Sequence, residues 1–434
     1  MKFLKQIFNS PDLRKKILFT IAMLIGYRFL AHITIPGANK EALAALSGNG
    51  NSNSVLTVFS LLTGGGTENL SIVLMGISPY INASIIIQLL TIVVPKLENL
   101  SKEGEQGRNK INQYVKWLTF PLAFLQSYGM LLLINSQVQM EIITDIYNPA
   151  VILPAMLTIS AGTVLLVWLG EQITEYGIGN GISLIIFTSI LARVPTMLYQ
   201  SLAGTSQDIS KLVPFLIMMI ITVILLVIVI IVSEAERKVP ITYAGRGAGT
   251  KGEQAFLPIK INQAGMIPII FAVAMISFPA VMGQFLVEAK SVILQSIGNS
   301  LTVLFQPNTS IYLFSYFILV VGFTYFYVAI TFNPKQVAEN IQKRGGYVPG
   351  IRPGSQTETY LKNISKRLTF FGSTFLAFIA VSPLLLKYIF SNGTVGSIPL
   401  LISGAGMIII VGVVLELIRQ INAQLVMHDY SKFY

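Results

Sequence analysis

Apolar residues run along this chain in ten long blocks set apart by polar or charged stretches. The blocks lie at about 17–35, within 64–95, and at 115–135, 150–170, 181–199, 212–232, 262–287, 311–330, 367–387 and 399–420. Each is near the ~20 residues that carry a helix across ~30 Å of hydrocarbon. The pattern predicts an all-α polytopic membrane protein of ten spans. A short amphipathic helix is expected from Phe3, Leu4, Ile7 and Phe8, with Lys2 and Lys5 on its polar side. Ser10, Pro11 and Asp12 then read as a helix start: a side-chain acceptor, a fixed φ and a favourable charge.

The second span is the unusual one. Gly76, Pro79 and Asn82 interrupt it near its start, and Gly64, Gly65, Gly66, Glu68 and Asn69 precede it. Proline lacks a backbone donor and clashes with the preceding turn, leaving carbonyls that need partners or water. Either the helix lines a cavity there, or it is a Pro-kinked helix packed on its neighbours. The seventh span repeats the feature, since Gly76-Ile77-Ser78-Pro79-Tyr80-Ile81 and Gly265-Met266-Ile267-Pro268-Ile269-Ile270 both read Gly-x-x-Pro-x-Ile. Five spans per half force the second half to run inverted relative to the first, with the halves expected at 1–205 and 206–434.

Composition agrees: 53% of the 434 residues are hydrophobic and only 11% charged, with mean hydropathy +0.68. The net charge of +11 is collected on one face. Five basic residues precede span 1, five lie between spans 2 and 3, five between 6 and 7, seven between 8 and 9, and two in the tail, against Lys40, Lys211, Lys290 and Lys387 on the other face. The positive-inside rule then places both termini in the cytosol. Two loops on that face exceed a simple connection, at about 233–261 and 333–366. Val239, Ile241 and Tyr243 alternate toward a tip, Gly245 to Gly249, and read as a protruding β-hairpin. Pro349-Gly350-Ile351-Arg352-Pro353-Gly354 sets an arginine between two turn signals, away from helical φ/ψ. Rigidly presented arginines suit phosphate or carboxylate, though a solvated basic loop looks the same in sequence.

Several chemistries lack their residues. There is no cysteine, and the two histidines, His32 and His428, are far apart, so neither a thiol nucleophile nor a metal site nor a cofactor is expected. Coupled transport needs ionisable groups at the bilayer centre, whereas Glu416, Arg28 and Arg193 lie toward span ends. Gly177 to Gly181 follows a membrane helix rather than a strand, so it is not a dinucleotide loop, and no Walker A sequence occurs. What is left is a passive path driven from outside. An inverted-repeat secondary transporter of a small solute is the alternative, and an intramembrane protease lacks a paired His or Asp constellation.

Four stretches resemble the SecY family, the central channel subunits of the bacterial Sec protein translocase. They are SIVLMGISPYINASIIIQLL at 71–90, WLGEQITEYGIGNGISLII at 168–186, INQAGMIPIIF at 261–271 and VPGIRPGSQT at 348–357. The resemblance implies two inverted five-helix halves around a central hourglass pore in the cytoplasmic membrane. It implies a pore ring of Ile77, Ile81, Ile182, Ile186, Ile270 and Ile409, and an external plug at about 59–73 carrying Gly64, Gly65, Gly66 and Asn69. It implies a lateral gate near Gln88, Gln126, Asn262 and Gln263, residues that read equally as interhelical glue. Arg246 and Arg352 would engage the SecA motor ATPase or the ribosome, through ribosomal RNA phosphates. Gly245 stands where the family often has lysine. The implied partners also include SecE and SecG, signal peptides, nascent polypeptides and membrane lipids, with no enzymatic activity.

Overall fold

The computed structural model describes residues 10–38, 70–137, 148–207, 212–243, 255–287, 291–306, 309–389 and 403–431. The expected amphipathic helix at 3–8 and the hairpin tip at 245–249 lie outside them. Thirteen helices and three strands are described: α1 Pro11–Leu30, α2 Ser78–Val93, α3 Pro95–Lys102, α4 Glu105–Gln137, α5 Pro149–Tyr176, α6 Gly181–Gln207, α7 Leu212–Glu234, β1 Glu236–Tyr243, β2 Ala255–Lys260, α8 Ile267–Val287, α9 Val292–Leu304, α10 Ser310–Thr331, α11 Pro334–Lys343, β3 Gly346–Tyr347, α12 Ser355–Ile389 and α13 Gly404–Ser431.

Every apolar block of the sequence overlaps one of these helices. Six stretches are long and apolar enough to cross a membrane on those criteria alone: 149–176, 181–203, 212–234, 310–343, 355–386 and 404–427. The pair α2 and α3, bent by 101° at Val94, makes a seventh if counted as one span. The other three blocks fall on α1, α4 and α8.

Helix starts follow local chemistry. Asn148 accepts from the Ala150 N–H at 3.1 Å and Asn333 from the Gln336 N–H at 3.3 Å, each before a proline whose missing donor is an orphan there in any case. Ser10 does sit at the N-cap of α1, ahead of Pro11 and Asp12, yet its hydroxyl makes no capping bond, so only the fixed φ and the charge act as expected. Two helices start well before the apolar block they contain. α4 begins at Glu105, after Gly104 at φ 76°, and α12 at Ser355, after Gly354 at φ 97°. The apolar block marks a hydrocarbon slab, whereas a helix stops only at a breaker. α9 was not expected as a helix.

The chain forms two compact units, residues 1–209 with 274–312 and 413–434, and residues 210–273 with 313–412. In the first, Ile35, Leu70, Leu74, Met75, Leu131, Ile134 and Ile159 make a buried core between the end of α1, the stretch before α2, and α4 and α5. Backbone bonds lock that stretch to the chain after α1: Ile35 N–H to Leu70 O and Ile72 N–H to Ile33 O, both 2.9 Å. In the second, β1 pairs antiparallel with β2 as the alternation predicts, and also with β3, in the order β2-β1-β3. Val239 and Ile241 of β1 and Ile259 of β2 share a core with Ala338, Ile341, Val348, Leu361 and Ile364. The two large loops of the sequence reading therefore build one packed body.

Candidate functional site

The two Gly-x-x-Pro-x-Ile elements adopt matching backbone geometry. Gly76 sits at φ 55° and Gly265 at φ 65°, in the left-handed region that favours glycine. Two residues on, α2 starts at Ser78 and α8 at Ile267, so Pro79 and Pro268 fall in the first turn. The bond from the Ile81 N–H to Ile77 O, 3.1 Å, has its counterpart from the Ile270 N–H to Met266 O, 3.3 Å. Pro79 was expected to break a span; instead it begins a helix, because the first N–H groups of a helix lack intrahelical acceptors. The stretch before α2 is a run of tight turns, with Gly76 N–H to Val73 O at 2.8 Å and Ser78 N–H to Met75 O at 3.2 Å.

Nothing lies within 4 Å of a Cβ built at Gly265, so an alanine there meets strain but no clash. Gly265→Ala is expected to lower stability by about 1–2 kcal/mol, and Gly265→Asn by less, since asparagine tolerates the left-handed region. Chemical denaturation of the purified protein in detergent measures the difference.

All six isoleucines expected in the ring lie at helix beginnings. Ile77 is the N-cap of α2 and Ile81 is in its first turn, Ile182 and Ile186 open α6, Ile270 is in the first turn of α8, and Ile409 in the second turn of α13. Ile77, Ile186 and Ile409 are buried, and Ile81, Ile182 and Ile270 partly so. The start of α6 is fixed by a glycine corner. Asn180 accepts from the Ser183 N–H at 3.1 Å, the Gly181 N–H donates to Thr174 Oγ1 at 2.9 Å, and the Ile178 N–H to Thr20 Oγ1 at 3.1 Å. A Cβ at Gly181 would stand 1.9 Å from Gly170 O, so α5 and α6 touch backbone to backbone. The Gly177–Gly181 run is thus a helix corner that aims Ile182 and Ile186.

The stretch before α2 is held as closely. A Cβ at Gly162 of α5 would stand 2.0 Å from Ile72 O. The neighbouring hydroxyls, Ser71 Oγ and Thr163 Oγ1, are buried with no hydrogen-bond partner among the described residues. This seam is held by packing, and the sequence reading missed Gly162 because nothing in α5 marks it out from other membrane-helix glycines.

The polar gate candidates are differently satisfied. Gln88 donates to Ser84 Oγ at 3.3 Å, one turn back on α2. Asn262 accepts from the Gly265 N–H at 3.0 Å and so holds the left-handed glycine. Gln263 accepts from Ser365 Oγ–H at 3.1 Å, while its Nε2 is buried and unpaired among the described residues, as is Gln126 Oε1. Gly64, Gly65, Gly66, Asn69 and Arg246 lie outside the described residues.

Arg352 is exposed on a tight turn between Gly350, φ 79°, and Gly354, φ 97°. The turn is closed by Ile351 N–H to Val348 O, 3.0 Å, and by Thr357 Oγ1–H to Arg352 O, 3.0 Å. Val348, just before it, is part of the core under the sheet. Among the described residues no group of three His, Cys, Asp or Glu could hold a metal ion.

The chain matches the SecY family model over residues 71–418. It is 42% identical to the protein translocase subunit SecY of Aquifex aeolicus, covering 100% of this chain and 99% of that one, and 38% identical to that of Corynebacterium glutamicum, covering 99% of each. Among solved structures it is similar to a protein-conducting channel, with TM-score 0.64 at 21% identity over 94% of this chain and 92% of that one. It is also similar to Sec61 in the canine ribosome-channel complex from the endoplasmic reticulum, with TM-score 0.60 at 20% identity over the same shares. The fold is therefore that of the SecY and Sec61 channels.

Proposed function

Because the chain belongs to the SecY family, we propose that it is the protein-conducting channel subunit of a translocase, passing secretory polypeptides across the bacterial cytoplasmic membrane and releasing membrane proteins sideways into it. The observation that carries this reading is the pair of left-handed glycines, Gly76 and Gly265, each starting a helix that presents an isoleucine in its first turn. Ile77, Ile81, Ile182, Ile186, Ile270 and Ile409 form the ring in this proposal, with the plug at about 59–73 closing it from outside. An apolar constriction makes ion passage costly by dewetting, yet offers no strong binding site to a passing chain.

In the same proposal the halves are 1–205 and 206–434, both termini are cytosolic, and the lateral gate runs past Gln88, Gln126, Asn262 and Gln263. SecE and SecG complete the complex, and SecA or a ribosome supplies the drive at Arg246 and Arg352. The packed sheet beneath Arg352 supports that role, since a rigid mount spares ordering entropy on docking. The family assignment leaves the small-solute transporter without support.

The test is ATP- and SecA-dependent entry of a secretory precursor into proteoliposomes holding the complex, read as protease protection. Arg352→Glu should lower that signal at least tenfold while leaving recovery of the assembled complex unchanged; equal loss of both would mean a folding role. Ion-coupled uptake of a small solute by the chain alone, with no precursor protected, would favour the transporter instead.

A further inference from the structure

α9 is a helix for which the channel reading has no use. Its position in the chain is constrained: it follows α8, and the six Cα steps from Leu304 to Ser310, the start of a membrane-length stretch, reach at most about 21 Å. Gly298 fixes its roll. A Cβ at Gly298 would stand 2.6 Å from both Gly283 O and Val287 N, and a Cβ at Gly283 would meet Leu301 and Thr302 at 3.0 Å, so this side of α9 packs on α8.

At 100° per residue, Ile293, Ile297 and Leu304 fall together on a stripe beside that contact, and Leu294 lies between. The stripe is open: Ile293 is 72% exposed, Ile297 46% and Leu304 39%. Gln295 and Asn299 lie on the other side of the helix, next to the exposed Val292 and Val303. No Asp, Glu, Lys, Arg or His occurs from Ser291 through Pro334, so the helix and the span after it form one uncharged run. Ile311 and Phe314, in the first turns of α10, are themselves exposed apolar residues.

We infer that α9 is an interfacial helix, packed on α8 through Gly298 and lying in the membrane surface with Ile293, Ile297 and Leu304 among the lipid chains. A lipid surface fits this stripe because the helix is tethered within reach of it, the uncharged run continues through α10, and the side bearing Gln295 and Asn299 carries no charge. Such a helix pins the outer end of α8 to the bilayer surface.

The chain has no cysteine, so single cysteines at 293, 297, 304, 295 and 299 can be spin-labelled in the full-length protein, in its complex in proteoliposomes. Accessibility to oxygen, which partitions into lipid, is compared with accessibility to a water-soluble nickel chelate. The oxygen-to-nickel ratio should be several-fold higher at 293, 297 and 304 than at 295 and 299. High nickel accessibility at all five positions would overturn the inference in favour of a helix in water. Shielding of 293, 297 and 304 from both reagents would overturn it in favour of a protein partner. Precursor translocation by the unlabelled protein is unaffected by either outcome.

Discussion

Replacing Ile81 and Ile186 together by serine is expected to raise the resting ion conductance of the reconstituted complex by at least tenfold in a planar bilayer. Ile186 is buried near the start of α6 and Ile81 is partly buried in the first turn of α2, each held by a backbone device: the α5–α6 glycine corner for one, the left-handed Gly76 for the other. Serine shortens the side chain and adds a group that holds water, which removes the dewetting that blocks ions. The matched control is Ile86→Ser, a residue of the same helix α2 with an open side chain, which should leave the baseline alone. Equal conductance for the double variant and the control would mean that these isoleucines are not the seal.

A second large effect is expected at Gly162. Any side chain there drives a Cβ to 2.0 Å from Ile72 O, against backbone that cannot rotate away. Gly162→Val should cost about 1–3 kcal/mol or more, the range of overpacked cores, and lower the thermal midpoint by several degrees. It should also push the 70–77 stretch outward and raise the resting conductance, because Ile77 is the last residue of that stretch. Gly26→Ala on α1 serves as the control, since nothing lies within 4 Å of its added methyl and alanine favours the helix. A Gly162 variant as stable and as tight as Gly26→Ala would contradict the packing described here.

The spans and the hairpin were legible in sequence because their signals are local. A 20-residue apolar block or a two-residue alternation needs no knowledge of partners. The Gly-x-x-Pro-x-Ile pairing was legible for the same reason, although its meaning changed: Gly76 and Gly265 supply the left-handed turn, and the prolines start helices rather than break them. What the sequence hid is what depends on distant chain. β3 is two residues long, and only the tertiary fold brings Gly346 and Tyr347 beside Thr242 and Tyr243. Gly162 resembles any other membrane-helix glycine until Ile72 is placed against it. The early starts of α4 and α12 were missed because hydropathy reports the slab, while the polar stretches from Glu105 and from Ser355 are helical outside it.

Passage of a polypeptide between these isoleucines is read by placing a photo-reactive amino acid at positions 81 and 186 and stalling a secretory precursor in transit. Covalent adducts to the precursor are expected from both positions when SecA and ATP are present, none without them, and none from position 228, an exposed isoleucine of α7. Absence of adducts at 81 and 186 while the precursor is demonstrably stalled, or equal yield from 228, would contradict it.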